Sequence, residues 1–220
     1  MDKKRKIFHE KHNFFGPGFS NNEIKNEILK SKLKYIKSGK NLTNITAQYL
    51  SEGKLVGWFQ GNMEFSHRAL GNRSILADPR NSKMKDLVNK AIKFRESFRP
   101  FAPAVLDSEA HKIFDMKKND KIFFMEKAVK VRDLWKKKIP AITHIDNTAR
   151  VQTVMKSVNP IFFDLISEFN KITKIPILLN TSFNLNGEPI VCTPRDAIRT
   201  FFSCGLDILI LGDFIIKKND

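Results

Sequence analysis

The chain has 220 residues, 41% of them hydrophobic and 10% aromatic, a composition that builds a hydrophobic core and excludes a disordered or fibrous protein. The longest apolar runs, Ile175 to Leu179 and Leu206 to Leu211, fall far short of the roughly 20 residues that span a bilayer. The formal charge of +16 is concentrated: residues 1–40 carry eleven Lys/Arg against four Asp/Glu, and residues 117–138 carry nine against three. Most of this excess is lysine in KKRK, KKNDK and WKKKIP, which read as solvated loops and helix faces more than as a nucleic-acid footprint.

The N-terminal run MDKKRKIFHEKHNFF is basic but lacks the apolar stretch and cleavage site of a secretory signal, so the cytoplasm is the expected compartment. Cys192 and Cys204 have no CxxC spacing and no neighbouring histidine, and are expected to be inert core thiols. Residues 1–19 read as a tail ending in the turn FFGPGFS, and residues 20–220 as one domain. Ser20 and Glu23 form a capping box ahead of Ile24, Ile28, Leu29 and Leu33, which predicts a helix over 21–35. A second helix is expected over 42–52, closed by Gly53, followed by the strand KLVGWFQ.

The stretch Met63 to Arg80, MEFSHRALGNRSILADPR, is then expected as a ligand loop. SKMKDLVNKAIKF predicts a helix ending near Phe94. FAPAVL, IFFMEKAVKV and AITHIDNTARVQTV give three strand candidates rich in β-branched and aromatic residues. Asn159 and Pro160 open a helix through Ile172, with proline where its missing N–H costs nothing. PILLN reads as a buried strand, TSFNLNGEP as a polar loop, Thr193-Pro194 as the start of a helix that stops at Gly205, and LDILILGDF as a closing strand. The expected fold class is α/β (α+β) around a mixed sheet.

Four polar clusters carry the chemistry. Arg68, Arg73 and Arg80 offer planar forks suited to phosphate oxygens, unless they form structural salt bridges with Glu64 and Asp78. In KFRESFRPFAP, Lys93 and Arg95 can close on one anion where the helix ends, with Arg99 nearby; the alternative is a solvated helix terminus. In THIDNTARVQT, period-two alternation places His144, Asp146, Thr148 and Arg150 on one strand face if no bulge intervenes, with Gln152 continuing the pattern; an edge strand facing solvent would look the same. LLNTSFNLNGEP offers Asn180, Thr181, Ser182, Asn184 and Asn186, small groups that orient a ligand without adding charge. Together they describe a site for a polyanion such as a nucleotide or acyl phosphate. There is no Walker A sequence and no GxGxxG.

These four stretches, in this order and over roughly residues 15–216, resemble the C-terminal domain of O-carbamoyltransferases of the NodU/CmcH type. That domain is in turn similar to the YrdC-like fold, a twisted mixed sheet flanked by helices, whose site is marked by KxR and SxN pairs. The resemblance implies Lys93 with Arg95, and Ser182 with Asn184, as catalytic residues. It gives Arg68, Arg73 and Arg150 to phosphates, with Arg80, Arg99, Asn180, Thr181 and Thr148 as further binding residues, and His144 and Asp146 orienting substrate or relaying a proton. It implies ATP and carbamoyl phosphate as substrates, Mg2+ arriving with the nucleotide, no metal held by this domain, and a Kae1-like partner that passes the carbamoyl group to a hydroxyl acceptor. The chain departs from the family pattern at Ser66-His67, where Gly-Pro is usual, and FFGPGFS resembles the family's interdomain junction. The alternatives are a non-catalytic RNA-binding module and an inactive remnant that docks to a partner.

Overall fold

The computed structural model describes residues 11–96 and 98–218, so the basic run KKRK lies outside the described residues. In chain order the elements are α1 (Asn21–Lys30), β1 (Ile36–Lys37), α2 (Leu42–Ser51), β2 (Val56–Phe59), β3 (Arg73–Ala77), α3 (Met84–Val88) continuing into a π-helical turn (Asn89–Lys93), and β4 (Ala102–Leu106). They continue with α4 (Ala110–Ile113), β5 (Ala128–Lys130), α5 (Asp133–Lys136), β6 (Thr148–Arg150), β7 (Gln152–Val154), α6 (Pro160–Thr173), β8 (Ile177–Ser182), α7 (Pro194–Phe202), β9 (Ile208–Leu211) and β10 (Phe214–Lys217). The fold class is the one expected, a mixed α/β sheet flanked by helices.

Among the described residues the main sheet runs in the order β1-β10-β9-β2-β3-β8-β4-β7, with β5 and β6 forming a separate ribbon. The pairs β2–β9 and β4–β7 are parallel, while β3 is antiparallel to both β2 and β8. Strands β2, β3, β4 and β9 are buried along their whole length, as apolar runs without alternation require of strands covered on both faces. Helix α6 packs on α2 and lies against β4 and β8, and α7 lies against β2 and β9. Phe162 and Phe169 of α6 and Phe201 of α7 are fully buried in the core with Trp58 and Phe183.

Local signals placed the helix starts well. Ser20 accepts from the Glu23 amide in the expected capping box, the Asn159 side chain caps α6 with Pro160 at its first position, and Thr193 and Asp196 form a second capping box for α7. Five segments depart from expectation. The stretch 63–80, expected as a ligand loop, contains β3 in the middle of the main sheet, because Ile75, Leu76 and Ala77 are buried between β2 and β8. The first helix stops at Lys30, where Leu33 turns back to bond Ile28 O. LDILILGDF is a hairpin turned at Gly212, whose φ is +57°. IFFMEKAVKV contributes only β5. AITHIDNTARVQTV divides into a 3-10 turn (Pro140–Ile142), β6 and β7. Asn147 at φ +62° breaks the alternation, and the chain leaves the ribbon at Val151 to join the edge of the main sheet. Both cysteines are free; Cys204 is buried as expected, whereas Cys192 is only partly so.

Candidate functional site

Antiparallel pairing brings the end of β8 to the beginnings of β3 and β4, with Asn180 opposite Ala102 and Ser182 opposite Ser74. A cavity of about 110 Å3 opens at this end of the sheet, lined by Arg68, Arg95 and Arg150 with His67, Phe101, Met125, Asn180, Thr181 and Ser182. Three guanidiniums reach it from three separate segments, and among the described residues no Asp or Glu lines it. Burial and the nearby Arg68 lower the Arg150 pKa, as burial and then Arg99 do for Arg95. A cluster of partly desolvated like charges is stabilised by an anion placed among them.

The two residue pairs separated by nearly ninety positions do meet. Lys93 Nζ donates to Ser182 O at 2.6 Å, Asn184 Oδ1 at 2.6 Å, Asn184 O at 3.0 Å and Ser182 Oγ at 3.2 Å. Ser182 Oγ donates in turn to Asn184 Oδ1 at 2.7 Å, and Asn184 Nδ2 to Glu188 O at 2.6 Å. An ammonium has three protons, so this set of oxygens already satisfies it. Burial, then the neighbouring Arg95, lowers the Lys93 pKa to about 7, opposed by the nearby Cys204. In this arrangement Lys93 ties the loop after β8 to the helix end, and Arg95 is the member of the pair that reaches the cleft. Arg95 Nε donates to Asn89 Oδ1 at 2.7 Å, and its guanidinium lies 5.1 Å from the Phe101 ring centroid.

The loop that presents Arg68 is held from beneath. The buried Glu64 carboxylate accepts from the amides of Leu70 at 2.6 Å and Asn72 at 2.8 Å. Gln152 Nε2 donates to Leu70 O at 2.8 Å, and Asn180 Nδ2 to Ala69 O at 3.1 Å. Gly71 sits at φ +108°, where an added Cβ would lie 2.3 Å from Phe162 Cδ1. Only glycine fits this close approach and this backbone conformation.

Three expected ligands are placed elsewhere. Arg73 lies in β3, fully buried, with its guanidinium spent on the carbonyls of Gln60, Gly61, Asn72 and Pro17 and stacked 3.6 Å from the Phe59 ring centroid. It is a core strut because the strand begins at this residue and the loop before it folds over the side chain. Arg80 follows the opposite end of β3, pairs with Asp78 at 2.6 Å and bonds Ser51 O, which is the structural salt bridge left open above. Arg99 pairs with Glu96 at 3.0 Å and is not among the residues lining the cavity.

His144, Asp146 and Thr148 do come together, through a turn instead of a strand face. Asp146 Oδ1 accepts from the Thr148 amide and hydroxyl, and His144 Nδ1 lies 3.2 Å from Thr148 Oγ1. Burial lowers the His144 pKa, opposed by a hydrogen bond to the Phe101 backbone and by Asp146. Asp146 is exposed and faces a separate surface groove with Arg132 and Lys136. Phe101, Met125, Asn89 and the bracing role of Glu64 were not foreseen. Asn89 and Phe101 each lie six residues from Arg95, and Glu64 lies six and eight residues before Leu70 and Asn72, the spacing of a loop brace.

Among the described residues no helix is long and apolar enough to cross a membrane, and no group of three or more His, Cys, Asp or Glu is placed to hold a metal. The chain is thus an α/β domain whose mixed sheet converges three guanidiniums over a bed of amides and hydroxyls. The chain belongs to the carbamoyltransferase C-terminus family, whose family model matches residues 47–218, as the four sequence stretches anticipated. It is 46% identical to nodulation protein NolO of Bradyrhizobium diazoefficiens over 184 residues, covering 83% of this chain and 34% of that protein. It is 43% identical to nodulation protein U of Rhizobium tropici over 141 residues, covering 64% of this chain and 24% of that protein. The chain therefore spans about a third or less of the length of these relatives. In fold it is similar to full-length HypF, solved in a phosphate- and nucleotide-bound form, with a TM-score of 0.54 at 18% identity over 79% of this chain and 25% of that one.

Proposed function

We propose that this domain takes up carbamoyl phosphate and ATP in the arginine-lined cleft and forms carbamoyl-adenylate, for transfer to a hydroxyl acceptor by a Kae1-like domain. The observation that carries the reading is the convergence of Arg68, Arg95 and Arg150 on one cavity without a lining carboxylate. The family membership and the phosphate- and nucleotide-bound state of the HypF relative support it.

The balanced chemistry is simple. Water releases phosphate from carbamoyl phosphate, a carbamate oxygen attacks the α-phosphorus of ATP, and pyrophosphate leaves. Charge accumulates on phosphoryl oxygens throughout, and fixed guanidiniums disperse it without reorganising. Arg68, Arg95 and Arg150 are assigned to these oxygens, and Thr181 and Ser182 to orientation. Lys93 and Asn184 hold the loop that carries Ser182 in place. With no carboxylate at the cavity, Mg2+ would arrive on the nucleotide and be held by its phosphates.

Carbamoyl phosphate-dependent ATP–pyrophosphate exchange tests the assignment. Exchange is expected in the chain supplied with the N-terminal portion of a longer relative, and is expected to be lost in Arg95→Ala and Lys93→Ala. Absence of exchange in every combination would reject it.

A further inference from the structure

Two buried polar atoms without a hydrogen-bond partner belong to residues lining the cleft: Asn180 Oδ1 and Arg150 Nε. They have opposite character. Arg150 Nε is a donor, as a phosphate site requires. Asn180 Oδ1 is an acceptor in a side chain only 1% exposed, among residues otherwise suited to hold oxygen anions.

The orientation of the Asn180 amide is fixed by its neighbours. Its Nδ2 donates to Ala69 O at 3.1 Å and to Gln152 Oε1 at 3.0 Å, while Gln152 Nε2 is committed to Leu70 O at 2.8 Å. Turning either amide over would set oxygen against oxygen, so Oδ1 must point away from both carbonyls. A buried acceptor left unpaired carries a desolvation penalty, and a phosphate oxygen, itself an acceptor, would add repulsion. The complementary ligand atom is an N–H.

Resting on the reading above, we propose that Asn180 is the residue that recognises the carbamoyl amino group, accepting its N–H at Oδ1 while Arg150 Nε donates to an oxygen of the same ligand. A carbamoyl group has this donor and acceptor on adjacent atoms. Acetyl phosphate has the same phosphate and carbonyl but a methyl in place of the amine. Asn180 would thus discriminate by chemistry a cluster of arginines cannot read: a site built to bond an N–H rejects the analogue lacking it, because its own acceptor is then left unpaired.

Titration calorimetry on the whole chain with carbamoyl phosphate, acetyl phosphate and inorganic phosphate tests this without altering the protein. Carbamoyl phosphate is expected to bind at least tenfold more tightly than acetyl phosphate. Equal affinity for the two, with phosphate still bound, overturns the role of Asn180 and leaves the anion cleft standing; failure of all three to bind removes the cleft reading itself. In Asn180→Leu the ratio of carbamoyl phosphate to acetyl phosphate affinity is expected to fall to about onefold, whatever the change in overall anion affinity. A folded variant that retains the preference refutes the proposal. ATP against inosine triphosphate, which lacks the exocyclic amine, supplies the competing outcome: a preference for ATP that Asn180→Leu removes would assign Oδ1 to adenine and overturn the carbamoyl assignment.

Discussion

Replacing Arg73 with methionine separates a structural arginine from a ligand-binding one. Methionine keeps an apolar stem under Phe59 but leaves the carbonyls of Pro17, Gln60, Gly61 and Asn72 without the donor they now share. The Asn72 carbonyl keeps the Gln60 amide and the Pro17 carbonyl keeps the Met63 amide, so two carbonyls, of Gln60 and Gly61, lose their donor; at about 1–2 kcal/mol each the loss is roughly 2–4 kcal/mol. Losing the cation stacked on the ring adds about 1 kcal/mol. In the opposite direction, burial lowers the Arg73 pKa to about 10, and removing a charge held under that penalty returns about 3 kcal/mol. The expected net destabilisation is up to about 2 kcal/mol, a sizeable fraction of the stability of an ordinary domain. Urea unfolding followed by tryptophan fluorescence measures it, since Trp58 is buried and donates to Gly71 O at the centre of the affected region. Arg68→Met, on the cleft wall, is expected to shift stability by less than about 0.5 kcal/mol and to lose phosphate binding. An Arg73→Met protein as stable as the parent but unable to bind phosphate would refute the assignment of Arg73 to the core.

Two further outcomes follow from the same geometry. Because the Lys93 pKa is depressed to about 7 in the folded chain, the unfolded chain binds more protons between that value and the ordinary lysine range. Stability should therefore rise with pH through this window, by about 1–2 kcal/mol from pH 7 to 8.5, and the rise should vanish in Lys93→Met; identical urea midpoints across the window in the parent would contradict it. Gly71→Ala, which must place its Cβ against Phe162 at a φ of +108°, is expected to cost at least about 3 kcal/mol in urea unfolding, and an unchanged midpoint would show that the Phe162 contact is not tight.

What the sequence revealed was set by how local the deciding interaction is. Helix starts were legible because a cap lies within three residues of what it caps, as with Ser20 and Glu23 or Thr193 and Asp196. The buried strands β2, β4 and β9 were legible as apolar runs, whereas β3, opened by Arg73 and Ser74, was read as a loop; the boundary between β9 and β10 was not legible either, since Gly212 and Asp213 interrupt one continuous pattern. In the site, Lys93, Arg95, Ser182 and Asn184 were grouped by the family resemblance, and the structure adds that Lys93 bonds both Ser182 and Asn184. The arginines of the 63–80 stretch were harder. Twelve positions of chain carry Arg68 to the cleft, Arg73 into the core and Arg80 to the far end of the sheet, and nothing in their spacing distinguishes a guanidinium that lines a cleft from one that meets carbonyls. His144 and Thr148 were correctly grouped for an incorrect reason, because an Asx turn and a strand face both bring alternate residues together.

The π-helical turn at Asn89–Lys93 bears on how such a site changes over time. A wide turn accommodates one residue more than an α-turn and advances everything after it around the helix axis. Here the shift ends at Phe94 in a left-handed conformation, leaves Lys93 only 4% exposed, and frees the Ala91 carbonyl to accept from the Gly205 amide. The orientation of the buried cation is thus a matter of helical phase as much as of residue identity. Deleting one residue of the turn ahead of Lys93 would keep the Lys-x-Arg string intact while rotating its lysine toward solvent, so a relative can preserve the letters of this motif and lose the joint they form.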